Sequence, residues 1–199
     1  MPEKRVSSRL SKLINYLSIS SAAKRIISDI SVLFLLLVGI IFLISLWTYD
    51  PLDQKEFITS SSSSFSNSIG LIGAYLSYGS YWILGITAWF LLIPAFWIPI
   101  KYLFTEKSDE RQFGLRKIFF FFLGLLFTLI SLAVLISIHI DPYDNFYPES
   151  SAGFIGLSLK NYLLPYLSII GSTIVAIFFL LISFTLTANF SWKNLISGI

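Results

Sequence analysis

The sequence contains no cysteine. That absence excludes disulfides, thiolate metal sites, a cysteine nucleophile and a lipid anchor attached through cysteine. Histidine is almost as scarce: His139 stands alone, so no imidazole cluster can hold a metal. Charge is thin, at 13% of residues, against about 25% in soluble domains. The phosphate-cradling G-x-x-x-x-G-K-[ST], the nucleophile elbow G-x-S-x-G and the metalloprotease H-E-x-x-H do not occur. No catalytic, cofactor-binding or metal-ligating residue is therefore nominated, and these residues are expected not to be an enzyme.

What is abundant is apolar surface. Hydrophobic residues make up 55% of the chain and aromatics 17%, with 19 Phe. A soluble fold of this size could not hide that much, so the solvent is expected to be lipid. A spanning helix needs about 20 mostly apolar residues to cross a core of about 30 Å. Four stretches qualify, at 29–49, 80–100, 118–140 and 162–188. A charge at a helix centre costs about 2.5–3.5 kcal/mol on insertion scales, and no span carries one. Trp47, Tyr49, Tyr81, Trp82, Trp97, Tyr102 and Trp192 cluster at span ends, where amphipathic rings favour the headgroup level. The first span is too long for a signal-peptide core and offers no small-residue cleavage site at Trp47-Thr48-Tyr49-Asp50-Pro51.

Lys and Arg set the orientation. Lys4, Arg5, Arg9, Lys12, Lys24 and Arg25 precede the first span, and only Lys55 follows it. The loop at 101–117 holds Lys101, Lys107, Arg111, Arg116 and Lys117, whereas the next holds only Lys160 and the tail Lys193. This alternation places the N-terminus in the cytoplasm, and four spans return the C-terminus there. The leader, 1–25, reads either as an interfacial helix, with Leu10, Leu13, Ile14 and Leu17 along one stripe, or as a disordered basic tail. The segments 50–79 and 141–161 are external loops, and 189–199 is a cytoplasmic tail.

The two external loops share a pattern. Asp50-Pro51 ends the first span and Asp141-Pro142 the third. Ser68-Ile69-Gly70-Leu71-Ile72-Gly73 then matches Ser151-Ala152-Gly153-Phe154-Ile155-Gly156 in the frame S-x-G-x-I-G. The chain therefore reads as two similar hairpins, with the first loop carrying a linker at Ser60–Ser64 and a short glycine-containing helix. Gly70, Gly73, Ala74, Gly153 and Gly156 are the candidate helix-packing positions, because small faces let helix backbones approach closely in a membrane. No ionisable residue lies mid-membrane, which argues against a pump or permease. Pro94, Pro99 and Pro165 read as plain kinks, His139 as an interfacial histidine. Asp50, Asp53, Asp141, Asp144 and Glu149 are too scattered to form a site.

These features together resemble the N-terminal membrane domain of the FtsK/SpoIIIE DNA translocases. The resemblance rests on four spans after a basic leader and on Leu46-Trp47-Thr48-Tyr49-Asp50-Pro51. It rests also on Asn67-Ser68-Ile69-Gly70-Leu71-Ile72-Gly73-Ala74-Tyr75-Leu76 leading into Ile83-Leu84-Gly85-Ile86-Thr87-Ala88. Ser151-Ala152-Gly153-Phe154-Ile155-Gly156 and Leu186-Thr187-Ala188-Asn189-Phe190-Ser191-Trp192 fit as well, although that family's later loop is often richer in glycine. The resemblance implies a bacterial inner-membrane anchor at the division septum that contacts other division proteins. It implies self-association, and a linker and hexameric ATP-driven motor beyond Ile199 through which alone DNA would be touched. The cofactor expectation for these residues is none. Two other readings compete: a small accessory subunit of a membrane complex, and a permease.

Overall fold

The computed structural model describes residues 21–54, 65–104, 115–140 and 146–188, and every regular element among them is helical. Residues 1–20 of the basic leader, Ser60–Ser64, most of the basic loop, Asp141-Pro142, Asp144 and the tail with Trp192 lie outside the described residues, and the last part of the leader opens the first helix.

Helix α1 runs Ser21–Trp47. It stops short of Pro51, in whose neighbourhood helical backbone is disfavoured. There Asp50 takes over locally, its Oδ1 accepting the Leu52 N–H at 2.8 Å in an Asx turn. Helix α2 is Gly70–Leu84. A 3-10 segment, Gly85–Leu91, follows, and helix α3, Leu92–Phe104, continues from it. Within the 3-10 segment Thr87 Oγ1 donates to the Leu84 carbonyl three residues back, at 2.6 Å. Helix α4 is Leu115–His139 and helix α5 is Gly153–Ala188, broken at Ser168, where φ is 53° and ψ −178°.

Four helical stretches are long and apolar enough to cross a membrane: Ile26–Trp47, Gly70–Leu103, Arg116–His139 and Gly153–Thr187. The glycine-containing helix expected in the first loop and the second span thus form one apolar run, interrupted at Gly85. Burial is inverted relative to a soluble fold. Phe34, Phe119, Ile170 and Phe178 stand exposed, whereas Ser45, Ser77, Ser137 and Ser172 are fully buried. Apolar side chains of this size facing outward along whole helices require lipid to cover them.

Inside, α1 packs on α2 and α3, α4 lies along α5, and α2 also touches α5. Gly39 of α1 lets Ala95 of α3 approach: a Cβ there would lie 3.3 Å from the Ala95 Cβ. Further down the same pair of helices, the Tyr102 hydroxyl meets Asp29 Oδ1 at 3.2 Å. Gly124 of α4 sits against Ser183 and Thr187 of α5, and Thr128 Oγ1 bonds Ser183 Oγ at 2.9 Å. Small and hydroxyl-bearing residues at one helix interface are the expected device where water-driven burial is unavailable.

Candidate functional site: the junction of the two glycine frames

The two frames fold alike, atom for equivalent atom. In the first, the Asn67 carbonyl accepts from the Gly70 N–H at 2.7 Å and Asn67 Oδ1 accepts from the Ile69 N–H at 3.1 Å. In the second, the Ser150 carbonyl accepts from the Gly153 N–H at 2.9 Å and Ser150 Oγ accepts from the Ala152 N–H at 3.2 Å. Both turns end on a glycine at positive φ, 69° at Gly70 and 66° at Gly153, a conformation in which a Cβ is strained. Equally far along each helix the backbone turns positive again, at Gly85 and at Ser168.

Side chains then lock the first frame to the end of α1. Asn67 is 2% exposed and Asp53 4%. Asn67 Nδ2 donates to the Ser45 carbonyl at 2.9 Å and to the Thr48 carbonyl at 3.3 Å, and approaches Ser77 Oγ at 3.4 Å. Asp53 receives the N–H groups of Ser66 at 2.8 Å and Asn67 at 3.1 Å. The carboxylate and the amide thus satisfy backbone groups that the chain leaves open where it is neither helix nor strand. Beside them lies the main buried cluster, Leu46, Tyr49, Tyr81, Ala88 and Leu92. Tyr49 and Tyr81 meet edge-on at 4.9 Å, and Phe146 and Tyr147 close over them at 5.4 Å from Tyr49 and 5.3 Å from Tyr81. Tyr81 donates to the Leu46 carbonyl at 3.0 Å. The buried Tyr49 hydroxyl has no hydrogen-bond partner among the described residues. Its burial, and then Tyr78, Tyr81, Asp50 and Asp53 nearby, push its pKa above the usual 10.0.

The frames meet where α2 ends and α5 begins. The Ile86 N–H donates to the Ser151 carbonyl at 2.8 Å. A Cβ on Gly85 would strike the Ser151 carbonyl, and one on Gly153 would strike the Gly85 nitrogen. Two backbones cross here with no room for a side chain on either. Trp82 stacks on Phe154 at 5.4 Å beside the crossing, and Trp82 Nε1 reaches Glu149 at 3.2 Å. Irregular backbone near membrane depth is tolerated where its polar groups find protein partners, and this crossing supplies one.

The sequence-nominated positions have distinct places. Gly70 has open space around it, Gly73 lies against Asn67 and Ile69 of its own turn, and Gly156 lies against the Ala133 carbonyl of α4. Ala74 is buried. Gly153 belongs to the crossing. Sequence reasoning missed Gly85, Asn67, Asp53 and Gly124. The spacing Gly124-x-x-x-Thr128 opposite Ser183-x-x-x-Thr187 was available as a signal, whereas nothing local marked Asp53. His139 pairs with Thr173 Oγ1 at 2.8 Å. Among the described residues no three His, Asp or Glu side chains group as metal ligands.

The family of the 4TM region of DNA translocase FtsK/SpoIIIE matches residues 24–199. The chain belongs to that family. It is 29% identical over 162 residues to the DNA translocase FtsK of Vibrio parahaemolyticus, covering 79% of this chain and 15% of that protein. With the Vibrio vulnificus FtsK it shares 28% over 78% of this chain and 15% of the relative. With the Pseudomonas putida FtsK it shares 30% over 74% of this chain and 18% of the relative. The chain therefore spans less than a fifth of the length of these relatives. No solved structure matches it. The FtsK/SpoIIIE 4TM region is thus built here around a crossing of two glycine-led helices.

Proposed function

We propose that this domain is the membrane anchor of a cell-division DNA translocase, tethering an ATP-driven motor at the septum of the bacterial inner membrane. The observation that carries the reading is the family match over residues 24–199, combined with four apolar helices whose polar side chains bind helix to helix. Thr128 and Ser183 join α4 to α5, and Asn67 and Asp53 hold the turn before α2 at the end of α1. Both termini lie in the cytoplasm in this proposal, and the helices form two successive out-and-back pairs. Partners are lipid, other division-site membrane proteins, and further copies of the chain gathered by a hexameric motor. DNA is touched only by that motor. The anchors need little affinity for each other, because tethering raises their effective concentration.

The reading is tested by expressing the chain with a fluorescent protein at its C-terminus in dividing bacteria. Bands at the constriction site are expected. An even signal around the envelope would refute septal targeting, and a cytoplasmic signal would refute the anchor itself.

A further inference from the structure

The second span does not need α2. From Gly85 to Phe104 the chain rises about 2.0 Å per residue through the 3-10 segment and about 1.5 Å per residue through α3. That already covers a hydrocarbon core of about 30 Å. Helix α2 adds 15 residues, which in line would reach about 22 Å further.

Its contacts show that it is not in line. Asn67, whose amide lies 3.4 Å from Ser77 Oγ midway along α2, bonds the Ser45 carbonyl, and Tyr81 one turn further on bonds the Leu46 carbonyl. The 3-10 segment starts level with the end of α1, where Trp89 meets Trp47 at 6.1 Å; in line with it Ser77 would stand about 12 Å beyond that end, yet Asn67 beside Ser77 reaches back to Ser45. Helix α2 therefore crosses the end of α1 instead of running beside it.

Its composition says what covers it. No Asp, Glu, Lys or Arg occurs between Gly70 and Leu84. Gly73, Ala74, Ser77 and Tyr81 form its buried face, from which Tyr81 bonds the Leu46 carbonyl of α1. The opposite side exposes Ile72 at 68%, with Leu76 and Ile83 beside it. A helix that is apolar all round sits in apolar surroundings. Trp47 at the end of α1 and Ile86 just past α2 stand exposed as well.

We propose that α2 is an interfacial helix, lying flat across the end of α1 at the boundary between acyl chains and headgroups. Its occupant is the lipid of that leaflet. The inference rests on the membrane reading above. A helix lying flat resists displacement along the membrane normal, since either direction moves apolar surface into polar surroundings or polar ring edges into hydrocarbon.

The absence of cysteine makes the test direct. Ile72→Cys and Ile83→Cys carry nitroxide labels on the full chain in phosphatidylethanolamine–phosphatidylglycerol vesicles, with Ile93→Cys and Ile177→Cys as span controls. Depth is read from accessibility to oxygen and to a water-soluble nickel complex. Both α2 labels are expected at one shallow depth, about 5–10 Å into the boundary. Depths differing by about 16 Å, the value for an upright helix, would overturn the proposal. So would strong nickel access at both, which puts α2 in water, or protection from both reagents, which puts protein over it. Nickel access at Ile93 and Ile177 would instead sink the membrane reading, and this proposal with it.

Discussion

At the residue scale the two frames present a natural contrast. Gly85 and Ser168 occupy corresponding positions with nearly the same φ, 57° and 53°, and ψ of −144° and −178°. That region is close to glycine-only and costs other residues on the order of 1–3 kcal/mol. Ser168→Gly is therefore expected to stabilise the domain by about 1 kcal/mol, read as a higher unfolding temperature in detergent. Gly85→Ala should do the reverse and lose more, because its Cβ meets the Ser151 backbone as well as the φ strain. Gly70→Ala, with open space around it, should lose only the strain. Equal effects at Gly85 and Gly70 would disprove the crossing. Tyrosines make a second pair. Tyr49→Phe removes a hydroxyl without a hydrogen-bond partner among the described residues and should be neutral or mildly stabilising, whereas Tyr81→Phe loses a bond worth about 1 kcal/mol. The raised pKa of Tyr49 means that its phenol stays neutral when folded while the unfolded chain ionises. Its contribution is complete below pH 10 and is lost as pH climbs above it. The alkaline fall in unfolding temperature should be shallower in Tyr49→Phe.

At the scale of elements, α4 and α5 are joined by Thr128 and Ser183. A double-mutant cycle with alanine at both is expected to give a coupling of about 0.6 kcal/mol, the average for such bonds within membranes. A value indistinguishable from zero would mean that packing at Gly124 alone holds the pair. This scale also shows what the sequence could reveal. Four apolar runs were legible because charge is missing from them, and the repeated frame was legible because its serines and glycines recur in order. The break at Gly85 was not. Composition is equally apolar on both sides of it, so hydropathy runs on from Gly70 to Leu103. The break comes from a backbone contact with Ser151, distant in sequence. Asp53 was hidden for the same reason: it reads as one of several loop acids until the fold brings Ser66 and Asn67 onto its carboxylate. The glycine positions were visible as small, but their use was not. Gly70 serves conformation, while Gly73 and Gly156 serve close packing within the chain.

At the scale of the whole molecule, a family member spanning less than a fifth of its relatives' length presents a bundle fitted to lipid outside and tied by polar contacts inside. The proposed anchoring role has the chain cross the membrane four times and return to the side from which it started. The alternation of Lys and Arg predicts the direction: five cations in the loop between the second and third spans, one in the loop after the third. Alkaline phosphatase, active only outside the cytoplasm, tests this most directly when fused after Glu106 and after Ser150. The account predicts activity from the Ser150 fusion and none from the Glu106 fusion. Activity at Glu106, or silence at Ser150 with the fusion stably made, would contradict it.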